Sequence, residues 1–198
     1  LASGSGSNFE ALTRDLNTAS SPATVSFLLC NVPSAGVIER ATRLGVEALV
    51  LDHRAFPSRD AYDARVAQEL VARGIGLVCL AGYMRLVTPA LLAPFAGRVI
   101  NVHPALLPSF PGLHAPRQAL AAGVAIAGCT VHFVDEGTDT GPIIAQAAVP
   151  VLPSDDESSL TNRIQVEERR LFPMVVRAIA TGKIRLDGRR VLRSEVIA

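Results

Sequence analysis

Apolar and polar positions along the chain alternate between two rhythms. Continuous apolar runs, TVSFLLC (24–30), EALVLD (47–52) and GLVCLAG (76–82), are each followed by a stretch whose apolar residues recur every three or four positions, near 35–44, 59–73 and 88–95. This is the rhythm of βαβ units. Strands that are apolar throughout are covered on both sides, which predicts an α/β fold with a mostly parallel central sheet and helices on both faces. The second half is less regular. It reads as a strand RVINV (98–102), a proline-rich loop, a helix near 114–122, and strands AGCTVHFV (127–134) and PIIAQAAV (142–149). A long helix from about 155 to 180, opened by the capping box Ser154-x-x-Glu157, and short strands near 183–186 and 190–193 complete the pattern.

The chain opens LASGSGSNFEAL. Leu1, Ala2 and Ser3 read as the last residues of a strand whose beginning is missing from the sequence. Ser7 and Glu10 fit the capping box S-x-x-E, and Phe9, Leu12 and Leu16 continue at helical spacing. Strand, glycine turn and helix together suit an anion, because glycines let backbone N–H groups approach it and the helix dipole adds positive charge. Phe9 stands where G-x-G-x-x-G needs its third glycine, and no G-K-[ST] follows, so a single phosphate fits better than a nucleotide. The alternative is a capped turn that binds nothing.

At 198 residues, 49% of them apolar, the chain suits one compact domain with a substantial core. A net charge of +1 without a run of Lys or Arg gives no electrostatic footprint for nucleic acid or an anionic membrane, while a charged small molecule stays in view. Cys30, Cys79 and Cys129 lie far apart in apolar runs, which predicts buried thiols in a reducing compartment rather than disulfides or metal ligands. No run approaches a membrane span and nothing resembles a signal peptide, so the expected location is the cytoplasm.

The stretch VINVHPALLPSFPGLHAPRQAL (99–120) carries the most chemistry. Asn101 and His103 are two apart on a strand and project from one face near its C-terminal end, where open α/β sheets bind ligands. Pro104, Pro108 and Pro111 stiffen the loop that follows. An amide can donate to a developing oxyanion and an imidazole can exchange protons near neutral pH, a pair suited to acyl transfer; a turn cap and a structural histidine are the plain alternative. In DEGTDTGPIIAQ (135–146), Asp139 could reach a strand end and favour a protonated His103, whereas Asp135 and Glu136 read as turn formers. His132 reads as a satisfied core histidine. Arg59 follows the N-cap Ser58 and sits at the positive end of a helix dipole, a placement that a bound anion would repair. Glu168 interrupts the apolar stripe Leu160, Ile164, Leu171, Val175, so it either snorkels or meets a ligand.

Taken in order, GSGSN, SRDAYD, AGYMRLVTP, NVHPALLPSFPGLHA and GTDTGPIIAQ resemble the folate-dependent phosphoribosylglycinamide formyltransferases, within the formyltransferase superfamily, over nearly the whole chain. The segment N-x-H-P-[SA]-L-L-P is shared with methionyl-tRNA formyltransferase and formyltetrahydrofolate deformylase, so it marks the chemistry better than the acceptor. The opening loop, the S-R-[DE]-A-Y-D helix start and P-G-L-H mark the acceptor. The resemblance implies a single Rossmann-like domain over 1–198 and transfer of formyl from 10-formyltetrahydrofolate to the amine of 5'-phosphoribosylglycinamide in purine synthesis. Asn101, His103 and Asp139 would stabilise a tetrahedral intermediate. Gly6, Ser7 and Asn8 would hold the phosphate with Arg59 nearby, and Glu168 the ribose. The folate would meet Met84, Arg85, Leu86 and Val87 and the loop Asp135, Glu136, Gly137, Thr138, Asp139. No metal is implied, the partners are small molecules rather than nucleic acid or membrane, and a homodimer stays open. Ser5 stands where many relatives have Asn, and Pro116 where some have a second His. A deformylase that passes the formyl group to water, and a non-catalytic nucleotide-binding module on the same fold, are the rivals.

Overall fold

Where a chain alternates apolar runs with helical stripes, each strand must find a neighbour in a sheet and each stripe a surface to cover. The computed structural model, which describes residues 1–194, divides into two compact units, Leu1–Ile100 and Asn101 onward.

The first unit contains α1 (Ser7–Leu16), β1 (Leu28–Cys30), α2 (Gly36–Arg43), β2 (Ala48–Val50), α3 (Arg59–Ala72), β3 (Val78–Leu80), α4 (Pro89–Leu92) and the start of β4 (Val99–His103). Strands β1 and β2 are parallel, with Leu28 opposite Ala48 and Cys30 opposite Val50. The opening residues form a further line of extended chain. Ala2 bridges Cys30 in parallel, Ala2 N–H donates to Leu29 O, and Ala81 N–H donates to Leu1 O, so Leu1 and Ala2 lie between β1 and β3. Ala2, Phe9, Leu28, Cys30, Val37, Ala41 and Val46 form a core beneath them. Strand β1 is shorter than the apolar run 24–30 because the Asn17 side chain, just past α1, accepts from Val25 N–H and the Thr24 hydroxyl and holds that stretch outside the ladder.

The opening turn departs from the expected capping box. Gly6, not Ser7, is the N-cap of α1, in the left-handed region at φ 82°, and no side chain caps the helix. A Cβ on Gly6 would stand 2.4 Å from Val37 Cγ2, so both conformation and close approach require glycine. Glu10 is taken instead by Arg14, at 2.7 Å, and by Arg40. Ser58 caps α3 as its sequence predicts, accepting from Ala61 N–H. The stretch 88–95 forms only the single turn of α4.

The second unit contains the end of β4, α5 (Ala115–Ala121), β5 (Ile126–Phe133), β6 (Ile143–Pro150), α6 (Glu157–Ala180), β7 (Ile184–Asp187) and β8 (Arg190–Arg193). Its strands run β4-β5-β6. β5 and β6 are antiparallel, with Ile126 opposite Pro150, and their register shifts between Val131 and His132. α6 packs on β5 and β6 and buries the stripe Leu160, Ile164, Leu171, Val175. Its capping box is also shifted from the expected Ser154 and Glu157. Asp156 accepts from Ser159 N–H, and Ser159 Oγ accepts from Asp156 N–H. β7 and β8 close as an antiparallel hairpin. Parallel pairing in the first half, helices between strands and an antiparallel β5–β6 pair give the α/β class that the rhythm predicts.

Candidate active site

Strand β4 delivers Asn101 and His103 at its end, and β5 brings Thr130 and His132 two positions apart on one side of the neighbouring strand. Thr130 has no exposed surface and organises the loop after β4. Its hydroxyl donates to Ala105 O at 2.6 Å and accepts from Leu107 N–H at 3.0 Å and from Gln146 Nε2 at 2.9 Å. Gln146 donates also to Leu107 O. Held in this way, the proline-rich loop turns back so that its own backbone meets the strand-end side chains. The Phe110 carbonyl lies 2.8 Å from His103 Nε2, and Gly112 N–H donates to Asp139 Oδ2 at 2.8 Å. Phe110 and Asp139 both take left-handed backbone conformations, at φ 56°, a local strain that the surrounding bonds hold in place.

Asp139 lies between two imidazoles. His103 Nδ1 is 3.3 Å from Oδ2 and His132 Nε2 is 3.6 Å from Oδ1. Burial pulls the Asp139 carboxyl upward, but the His132 ring, the Gly112 N–H and the charge of His103 together outweigh it and leave the group below the ordinary carboxylate value. It is therefore an anion at neutral pH. His103, 5% exposed, faces a carbonyl with one nitrogen and this anion with the other, so a ring carrying protons on both nitrogens satisfies both acceptors. His132 is different. Its Nδ1 faces the Phe133 carbonyl at 2.8 Å, which can only accept, so Nδ1 carries a proton, while Nε2 lies 3.2 Å from the Asn101 amide nitrogen and 3.6 Å from Asp139 Oδ1. The contact at Nε2 leaves one N–H of that amide without a partner among the described residues.

Asn101, His103 and Asp139 are thus brought together. His132 is the buried, bonded core histidine that its sequence predicts, and it also touches both Asn101 and Asp139. Its signal in the sequence was the polar pair Thr130 and His132 at alternate positions of an otherwise apolar strand. The Phe110 carbonyl and the Gly112 N–H had no signal, because backbone groups carry none.

In the rest of the second unit, Asp135 closes its loop by accepting from Thr140 Oγ1 at 2.7 Å, from Gly137 N–H and from Arg189, the turn-forming role its sequence predicts. Glu136, Gly137 and Thr138 lie in that loop. Glu168 is 5% exposed on α6, and its charge adds to burial in pushing the Cys129 thiol up to about 12. In the first unit, Gly6, Ser7 and Asn8 form the N-terminal turn of α1, Arg59 is the exposed first residue of α3, and Met84 to Val87 lie between β3 and α4. No bond among the described residues links Arg59 to the turn at 6–8. The cysteines are free, and among the described residues no helix is long and apolar enough to cross a membrane.

The pattern of the formyl transferase family matches residues 1–176, which takes in both units. The phosphoribosylglycinamide formyltransferase of Bacillus subtilis is 41% identical over 179 residues, covering 90% of this chain and 92% of the relative. The trifunctional purine biosynthetic protein adenosine-3 of Drosophila melanogaster is 48% identical over 185 residues, 92% of this chain but only 14% of that protein's length. The crystal structure of glycinamide ribonucleotide transformylase 1 from Symbiobacterium toebii superposes with a TM-score of 0.95 at 49% identity, covering 98% of this chain and 92% of that one.

Proposed function

The chain belongs to the formyl transferase family, and we propose that it transfers the formyl group of 10-formyltetrahydrofolate to the amine of 5'-phosphoribosylglycinamide, a step of purine synthesis, in the cytoplasm and with residues 1–198 acting as one formyltransferase domain. The observation that carries this reading is the group of Asn101, His103 and Asp139 at the end of β4, with an anionic Asp139 set against the buried His103. Relatives named for the same reaction, of matching length and at 40% identity or above, support it.

In this reading the substrate amine attacks the formyl carbon, a C–N bond forms, and the carbonyl oxygen becomes an oxyanion. Asn101 meets that oxygen with the amide N–H that His132 leaves open. His103 Nε2–H, which donates to Phe110 O in the structure, exchanges that carbonyl for the oxyanion, while the Asp139 carboxylate holds the ring from its Nδ1 side. A preorganised donor of this kind contributes roughly 10²–10³ in rate. A water carries the amine proton to the departing folate nitrogen, so that the products are the formamide and tetrahydrofolate. Gly6, Ser7, Asn8 and Arg59 are assigned to the phosphate and Glu168 to the ribose. Met84 to Val87 in the first unit and Asp135 to Asp139 in the second are assigned to the folate. An absorbance assay of folate turnover with and without the ribonucleotide tests the reading. Turnover that needs the ribonucleotide supports it; equal turnover without it makes the protein a hydrolase.

A further inference from the structure

The segment Met84–Val87 has neither ladder nor helix of its own. Among the described residues, the backbone groups of Arg85, Leu86 and Val87 make no hydrogen bond, and Met84 and Leu86 are 68% and 53% exposed. A stretch so open would sample many shapes unless something outside it set one. Two side chains distant in sequence do so, one at each end. At the first end, Ser3 Oγ accepts from Met84 N–H at 2.8 Å; its own hydrogen is committed to Asn31 Oδ1 at 2.6 Å, which turns a lone pair of Ser3 towards Met84. At the other end, Asp63 Oδ2 accepts from Thr88 N–H at 2.6 Å. Between them, the Arg85 guanidinium lies over the Tyr62 ring, 4.7 Å from its centre, and the Tyr62 hydroxyl accepts from Tyr83.

Asp63 is the unusual member. Its side chain sits on α3 with no exposed surface, and burial pushes its carboxyl up despite the Thr88 N–H and the Arg85 charge. A buried carboxylate is a costly way to satisfy one N–H, and a helix such as α3 would be more stable with an apolar residue there. What Asp63 supplies that an apolar residue could not is a fixed anchor for the end of an otherwise unsupported segment.

We propose that Ser3 and Asp63 are positioning residues that hold Met84–Val87 in the shape that receives the formyl-folate, by fixing its two ends at Met84 N–H and Thr88 N–H. The proposal rests on the reading of that segment as a folate contact. Neither residue touches substrate; both act through the backbone they hold.

The test uses the full chain carrying Ser3→Ala, Asp63→Ala, Asp63→Asn or Val87→Arg, with KM measured separately for 10-formyltetrahydrofolate and 5'-phosphoribosylglycinamide, and thermal midpoints alongside. Ser3→Ala and Asp63→Ala are expected to raise the folate KM about tenfold and leave the ribonucleotide KM within about twofold, the effect of one lost hydrogen bond transmitted to binding. Asp63→Asn keeps an oxygen for Thr88 N–H and is expected to restore the folate KM. If Asp63→Ala fails to fold, the Ser3→Ala and Asp63→Asn results still decide. A raised folate KM in Val87→Arg with an unchanged one in Ser3→Ala overturns the anchoring while leaving the folate contact standing. An unchanged folate KM in Val87→Arg removes the contact itself. Equal rises in both KM values, or a fall in midpoint without any KM change, would make the two residues structural only.

Discussion

Asp139 is where the polar chemistry of the second unit converges, because each of its oxygens faces a histidine and one also takes a backbone N–H. Removing its charge should therefore do more than remove one contact. Asp139→Asn and His103→Ala are each expected to lower kcat by about 10²-fold or more with folate binding nearly intact, as for groups that act mainly in the transition state. The double variant should cost far less than the product of the two losses, since residues acting as a unit are not additive. Strictly multiplicative losses would separate them. The same residue has a pH signature. Its folded value is depressed, so the stability it contributes is fully present above the unfolded value of about 3.9 and is lost as pH falls through the folded value. Asp63 has the opposite sign: its folded value is raised, so its penalty grows as pH rises through the range between the unfolded and folded values. Denaturant midpoints from pH 3 to 7 should show Asp63→Asn gaining on the natural protein as pH rises, and Asp139→Asn losing its disadvantage in acid. Parallel curves would mean that neither group is perturbed as its surroundings indicate.

At the scale of elements, helix caps separate what was legible in the sequence from what was not. Ser58 and the stripe of α3 were readable because the cap and the periodicity are local. At α6 two overlapping boxes compete within 154–159, and the structure uses Asp156 and Ser159, since Asp155 is drawn onto Arg163 at 2.6 Å and fixes where the helix can start. Asp156→Ala is accordingly expected to lower the thermal midpoint by roughly 2–4 °C, while Ser154→Ala leaves it unchanged. At α1 the difficulty was tertiary. Val37 arrives from α2 against Gly6, and nothing near residue 7 announces it. Gly6→Ala should destabilise the protein by more than about 1 kcal/mol through its positive φ alone, whereas Gly4→Ala, with open space around its Cβ, should be close to neutral in denaturant melts. The site divides in the same manner. Asn101 and His103 were legible from a spacing of two on a strand, and Asp139 as an acidic residue in a neighbouring loop. The contact of His132 with them depends on the strand beside it, and the left-handed turns at Phe110 and Asp139 depend on bonds that close only in the folded chain.

At the scale of the whole molecule, a formal charge of +1 provides no broad field to draw in an anionic substrate, so recognition of a phosphate must come from local groups. In the proposed reading these are the N-terminal turn of α1 at Gly6 to Asn8 and the guanidinium of Arg59, exposed at the start of α3. A cation at the positive end of a helix dipole is disfavoured by a few tenths of a kcal/mol, and an anion bound there would reverse that sign. A substrate lacking the phosphate but keeping ribose and glycinamide should then show kcat/KM lower by roughly 10²-fold or more, because charge-assisted contacts contribute about 1.5–3 kcal/mol each. Folate binding should be unaffected. Arg59→Ala should weaken the phosphorylated substrate and scarcely alter the analogue, since a contact to a missing group cannot be lost twice. Equal losses on both substrates would give Arg59 a structural role, and full activity on the analogue would leave the opening glycine loop as a helix cap with no ligand.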